Sequence, residues 1–186
     1  MMPTDLELLE AWRSGDRACG DALIRAHFAP ICRFFRTKLG DDVEDLIQQT
    51  FLDLLAAASP VHSVRATLFT IAHRRLLDRL RARYQLAAVE LVSSLSVADL
   101  GTSPSSAVAR SEEERLLHQA LARIPLEHRI ALELAYWEDL SGPEIAEILG
   151  ITENTVRSRL ARARQALREE VRALGASQAS GHKEQA

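Results

Sequence analysis

Between Thr152 and Gln165 the chain gathers side chains that recognise rather than react: Arg157, Arg159, Arg162 and Arg164, interleaved with Asn154, Thr155, Ser158, Ala161 and Gln165. A guanidinium fork donates paired hydrogen bonds, either to a guanine edge or to a phosphate. Val156, Leu160, Ala163 and Leu167 recur at i, i+4, i+7 and i+11, so they share the opposite side of a helix. One face packs, and the other presents short polar groups and arginines. A recognition helix in a DNA major groove needs that arrangement. An ordinary hairpin with a solvated basic face would also carry the arginines. The glycine turn before the helix and the small Ala161 in mid-face favour the reader.

The elements that must position this helix are legible just upstream. Ser141 and Glu144 form a capping-box pattern. Ile145, Ile148 and Leu149 give the first helix its apolar face, and Gly150 stops it in the left-handed conformation. Thr152 caps the second helix, whose start offers backbone N–H groups to a phosphate. Arg162 is expected to read a base and Arg164 to clamp a phosphate.

The 186-residue chain has a net charge of −3, with 47 % hydrophobic and 5 % aromatic residues. The charge is unevenly spread. Residues 65–85 hold six Arg and one Asp, and residues 152–174 hold six Arg and three Glu. Two basic patches in an acidic background suit phosphate contact at chosen places. The apolar residues are mostly Leu, Ala, Ile and Val, which points to an all-α protein. No signal peptide or membrane span is visible, so no membrane insertion and a cytoplasmic location are expected. Cys19 and Cys32 read as buried thiols. With His27 they share no helical face, so no metal site is expected.

Thr4 and Glu7 open a short helix. A second runs from about Arg17 to Leu39, with Pro30 expected to kink or break it. Asp41 or Asp42 is expected to cap a third, from Val43 to Ala58. Its inner stripe is Val43, Leu46, Ile47, Thr50, Phe51 and Leu54, leaving Leu52 outward among polar residues. After the Ser59–Ser63 loop, a long helix runs from about Val64 to Ala87. It has Leu68, Phe69, Ala72, Leu76 and Leu80 on one side, with Thr67, Arg74, Asp78 and Arg81 opposite. Residues 93–111 are rich in Ser, Gly, Thr and Pro and read as a flexible linker. About 18 such residues have a contour of roughly 60 Å at about 3.3 Å each. Ser111–Glu114 caps a further helix, and Pro125 begins another. The last residues look disordered.

In this order the motifs resemble those of a bacterial RNA polymerase sigma factor of the sigma-70 family, and within it the extracytoplasmic-function (ECF) subfamily. Residues 41–55 are similar to its core-polymerase-binding stretch, 64–83 to its minus-ten reader and 116–172 to its minus-35 reader. The resemblance implies two small helical domains, region 2 over 4–90 and region 4 over 112–174, joined by a flexible linker at 91–111 and followed by a disordered tail at 175–186. It implies that Asp45, Leu46, Gln48, Gln49 and Leu52 meet core RNA polymerase. It implies that His62, Arg65, Thr67, His73, Arg74, Asp78 and Arg81 meet the opened minus-ten strand. It places Thr152, Asn154, Thr155, Arg157, Ser158, Arg159, Arg162 and Arg164 on double-stranded minus-35 DNA. The family usually carries Trp at the position of Thr67 and Asn at that of Arg74, which puts the minus-ten preference in question. An anti-sigma factor is a further partner the resemblance leaves open.

A helix-turn-helix regulator that is not a sigma subunit is the alternative. Residues 1–87 show no strand–helix alternation of the kind a receiver domain needs. No phosphate loop, metal-ligand spacing or nucleophile elbow appears, so neither an enzyme nor a cofactor is expected.

Overall fold

The first helix, α1 (Asp5–Arg13), is closed at its start by the Thr4–Glu7 capping box. Arg13 at its end donates to the carbonyl oxygens of Leu54, Leu55 and Ala57, tying α1 to the end of α3. α2 (Arg17–Leu39), α3 (Glu44–Ala56) and α4 (Val64–Tyr84) complete the first half. The second half holds α5 (Glu112–Arg123), α6 (Leu126–Tyr136), α7 (Gly142–Leu149) and α8 (Glu153–Gly181). This computed structural model describes residues 3–84, 94–99 and 111–181, the last five as backbone only. No strand occurs among them.

Every residue of the expected α3 stripe, Val43, Leu46, Ile47, Thr50, Phe51 and Leu54, is buried. So are Leu68, Phe69, Ala72, Leu76 and Leu80 of α4. Three local expectations give way. α2 runs unbroken through Pro30, because Ile31, Phe34 and Phe35 just beyond it are buried and hold both halves of the helix on one core. The cap of α3 is Val43, with no side-chain cap bond, rather than Asp41 or Asp42. Burying Val43 completely fixes the backbone there, and Asp41 faces Arg36 instead. α8 continues past Leu174 to Gly181, where a disordered tail was expected, while 182–186 lie outside the described residues.

The two halves share one apolar core. Leu126, Ile130, Leu134, Ile145 and Ile148 join the cluster formed by Phe34, Phe69 and Leu76. α4 packs on α7 as well as on α2 and α3. Of the expected linker, residues 91–93 and 100–110 lie outside the described residues, as do 85–90 before it. The stretch 94–99 is docked on the second half. Ala98 N–H donates to the Ala122 carbonyl (2.8 Å), Leu126 N–H donates to the Leu95 carbonyl (2.9 Å), and Val97 is fully buried.

Candidate functional site

The helix-turn-helix forms as its residues require. Glu144 accepts from the Ser141 N–H (2.9 Å) and hydroxyl (2.6 Å) at the start of α7. Gly150 ends α7 at φ 67°, where a side chain would be strained. The Thr152 hydroxyl accepts from the Thr155 N–H (3.2 Å) and caps α8. Val156 and Ala163 are buried, with Leu160 and Leu167 partly so. Asn154, Arg157, Ser158, Ala161, Arg162 and Gln165 form one exposed face. Arg162 donates to the Ser158 hydroxyl (3.3 Å) and Arg157 to the Asn154 side-chain oxygen Oδ1 (3.4 Å), contacts that solvent or DNA replaces readily.

Two arginines leave that face. Arg159 pairs with Glu127 of α6 at 2.8 Å and is largely covered. Arg164 donates to the Tyr136 hydroxyl at 3.0 Å, on the far side of the helix from Arg162. Two residues apart is about 200° of helical turn, so Arg162 and Arg164 point to nearly opposite sides of α8. The phosphate role expected of Arg164 asks it to leave an exposed contact with Tyr136.

On α4 and the loop before it, His62, Arg74 and Asp78 are exposed. Thr67, Arg74, Asp78, Asp53, Ser59 and Glu147 line an open hollow of about 600 Å³. Thr67 donates its hydroxyl to the Ser63 carbonyl (2.8 Å) within its own helix turn. Arg81 pairs with Asp78 one turn away. Arg65 and His73 are engaged by the second half. Arg65 pairs with Glu138 at 3.1 Å, and His73 lies half-buried beside the Ile148 backbone and Arg159. Arg65 nonetheless keeps 39 % of its side chain exposed.

The α3 face carries Asp45, Gln48, Gln49 and Leu52 outward, with Leu52 44 % exposed. Asp45 is held by Arg79 at 3.1 Å, and Arg75 is anchored by Asp53. Leu46 is only 7 % exposed and belongs to the core, so it cannot be a contact residue. Phe28 of α2, 47 % exposed, stands with Leu52 at a groove of about 290 Å³ floored by Trp12, Ile24, Ile47 and Phe51. Sequence reading missed Phe28. Its signal was an aromatic at a polar position of α2, beside Arg25 and Ala29.

Residues 23–85 match the family description "Sigma-70 region 2", and residues 114–167 match "Sigma-70, region 4". The chain is 32 % identical over 166 residues to the ECF RNA polymerase sigma factor SigM of Mycobacterium tuberculosis, covering 87 % of this chain and 81 % of that protein. It is 33 % identical over 172 residues to SigL of the same organism, covering 87 % and 96 %. The chain belongs to the ECF subfamily of sigma-70-family RNA polymerase sigma factors. Two solved structures share the fold. CnrH bound to the cytosolic domain of CnrY has a TM-score of 0.63 at 22 % identity, covering 89 % of this chain and 96 % of that one. RpoE of Bartonella quintana, with the anti-sigma factor NepR, has 0.63 at 24 %, covering 82 % and 95 %.

The sigma factor binds core RNA polymerase and promoter DNA, and directs transcription initiation without catalysing a reaction itself. The region 2 match separates it from a simple helix-turn-helix regulator. No described helix is long and apolar enough to cross a membrane.

Between its two halves the sigma factor holds a buried charge cluster that sequence reading did not anticipate. Lys38 of α2 and Glu133 of α6 form an ion pair with exposures of 0 % and 4 %. Arg129, also fully buried, donates to Glu133 at 2.8 Å. Burial pushes the Lys38 ammonium down to about 8, although Glu133 pulls it the other way. Burial alone would raise the Glu133 carboxyl, but Lys38 and Arg129 outweigh that and hold it below the ordinary carboxylate value. At the rim, Glu138 accepts from both Arg33 and Arg65.

Burial pushes the neighbouring His73 down to about 4 from 6.5, reinforced by the cations Arg159, Lys38 and Arg74, with only the Ile148 backbone acting upward. Opening or unfolding frees this imidazole to take a proton at about 6.5. Below that pH the freed state binds more protons, so the packed state loses stability as pH falls from 6.5 towards 4. Denaturant midpoints across this window are expected to fall more steeply for the native chain than for His73→Gln. Equal slopes would remove His73 from the account.

Proposed function

We propose a residue-level division of labour for this sigma factor, with region 2 at 4–90, a connecting segment at 91–111 and region 4 from 112. Asp45, Gln48, Gln49 and Leu52, joined by Phe28, dock on core RNA polymerase. His62, Thr67, Arg74, Asp78 and Arg81 line the track for the opened minus-ten strand, and Arg65 and His73 join it once the halves separate. Thr152, Asn154, Thr155, Arg157, Ser158 and Arg162 read minus-35 DNA. The protein works in the cytoplasm, where its polymerase is, and an anti-sigma factor is its natural kind of regulator, as recorded for RpoE of Bartonella quintana.

The observation that carries the minus-35 assignment is the single exposed face of α8 with Arg162 and Ser158 one turn apart around Ala161. A bidentate arginine–guanine contact discriminates between bases by about 1–3 kcal/mol, whereas a phosphate contact weakens all sequences alike. Arg162→Ala is therefore expected to relax preference at one or two minus-35 positions by about tenfold. Arg164→Ala, removing a side chain tied to Tyr136, is expected to leave DNA affinity within about twofold. Binding across single-base promoter variants separates these results. A uniform loss for Arg162→Ala would make it a phosphate clamp, and a large uniform loss for Arg164→Ala would return that residue to the DNA face.

A further inference from the structure

Arg13 is exposed, yet its guanidinium is spoken for. Nε donates to the Leu55 carbonyl (3.3 Å), and Nη2 donates to those of Leu54 (3.0 Å) and Ala57 (2.8 Å). A helix ends in carbonyls that have no partner inside it, and a cation suits that end. Leu54 and Leu55 lie in the last turn of α3, whereas the chain leaves the helix at Ala57, with φ −61° and ψ 117°. One nitrogen therefore ties the helix end to the first loop carbonyl and sets the direction of departure. The anchor itself is firm, because α1 packs chiefly on α2. The Trp12 ring lies so close to Gly20 that a Cβ there would stand 2.5 Å from it, and His27 meets Asp5 at 2.7 Å. The loop that follows has little else to hold it. No backbone–backbone hydrogen bond reaches residues 58–62 among the described residues. Val61 rests partly buried on the core. At the far end the Ser63 hydroxyl accepts from the Ala66 N–H (3.2 Å), and the Ser63 carbonyl accepts from the Thr67 hydroxyl. At the near end stands Arg13.

We propose that Arg13 is a positioning residue for minus-ten recognition: without touching DNA, it fixes the loop facing α4 and so sets which bases the hollow accepts. Ala57, Ser59, Pro60 and Val61 of that loop line the hollow together with Thr67 and Arg74. The proposal rests on the promoter-facing role given above to α4 and the loop before it. A recognition site discriminates while its groups keep their places to within about 0.5 Å, and a wall with one loose end does not keep them. In Arg13→Ala, water can satisfy the three carbonyls, so the fold survives while the loop loses its direction. The effect falls on the choice of base. The outward face of Gln48, Gln49 and Leu52 sits earlier on α3, away from the end that Arg13 holds.

Holoenzymes assembled from core polymerase and full-length native, Arg13→Ala, Arg13→Lys or Arg74→Ala chains test this. Each selects transcribed templates from one duplex pool randomised over both the minus-35 and the minus-ten segments. Preference is a ratio between sequences, so a plain loss of folded protein lowers all transcripts alike and does not move it. Arg13→Ala is expected to flatten the minus-ten preference by about fivefold, on the order of one lost hydrogen bond. The minus-35 preference in the same selection is expected to stay as it is in the native chain. Arg13→Lys keeps a cation at the end of α3 but not the planar fork, and is expected to fall between. An unchanged minus-ten preference in Arg13→Ala, with that of Arg74→Ala altered, overturns the role of Arg13 and leaves the reading of α4 intact. If neither variant alters it, the reading of α4 fails and the proposal falls with it. Equal flattening at both elements also overturns the proposal, since a loop beside α4 cannot act on minus-35 bases. If Arg13→Ala assembles no holoenzyme, Arg13→Lys carries the comparison, and a native minus-ten preference there overturns the proposal.

Discussion

Leu52→Asp is expected to lower the affinity for core RNA polymerase by about thirtyfold or more while leaving helicity unchanged. Leu52 is 44 % exposed and lies outside the buried core, so its replacement costs the monomer little packing. Its neighbour across the groove is Phe28, 47 % exposed, and the walls between them are apolar. An aromatic and a leucine set in a polar rim of Asp45, Gln48 and Gln49 is the arrangement that concentrates binding energy, with central anchors each worth about 2 kcal/mol or more. Aspartate removes the anchor and adds a carboxylate that the complex would have to desolvate. Competition binding with labelled core enzyme measures the effect. Phe28→Ala should weaken binding as well. Unaltered affinity in both variants would remove this groove from the interface.

The second large effect is on stability. Glu133→Ala should cost about 3–5 kcal/mol, because removing one partner of a buried pair strands the others. Here it strands two cations, since Lys38 and Arg129 are both fully buried and Glu133 is their shared counter-charge. The nitrogens Nη1 and Nη2 of Arg129 already find no partner among the described residues. Urea midpoints would show the loss directly. Glu133→Gln keeps the volume and the hydrogen-bond acceptor, so it should recover part of it. A midpoint unchanged by Glu133→Ala would mean that water reaches the cluster and that its burial is not what holds it together.

Most of the fold was legible because helices announce themselves locally. The caps at Thr4, Ser111 and Thr152 and the stripes of α3 and α4 involve residues within a few positions of each other, and each formed as read. The failures were long-range. Lys38 sits 95 residues from Glu133, and nothing near Lys38 says that a carboxylate will meet it. Likewise Arg65 and His73 read as promoter contacts from their own helix, and the neighbours they meet in the second half, Glu138 and the Ile148 backbone, lie far along the chain. Arg159 and Arg164 looked alike in a run of arginines. Their separate partners, Glu127 on one side and Tyr136 on the other, depend on how α6 crosses α8. Phe28 was lost for the opposite reason: a single aromatic on a mixed helix carries no periodic signal.

The docking of residues 94–99 on the second half changes how far the two recognition elements can part. Tyr84 and Ser94 are ten peptide steps apart, and however the chain runs between them it spans at most about 35 Å. A free linker of the length read from composition would allow nearly twice that. Each added base pair moves two DNA elements about 3.4 Å apart and turns one around the other by about 35°. So long as Val97 stays seated beneath the start of α6, the short tether caps how far apart the two helical halves can sit along a DNA.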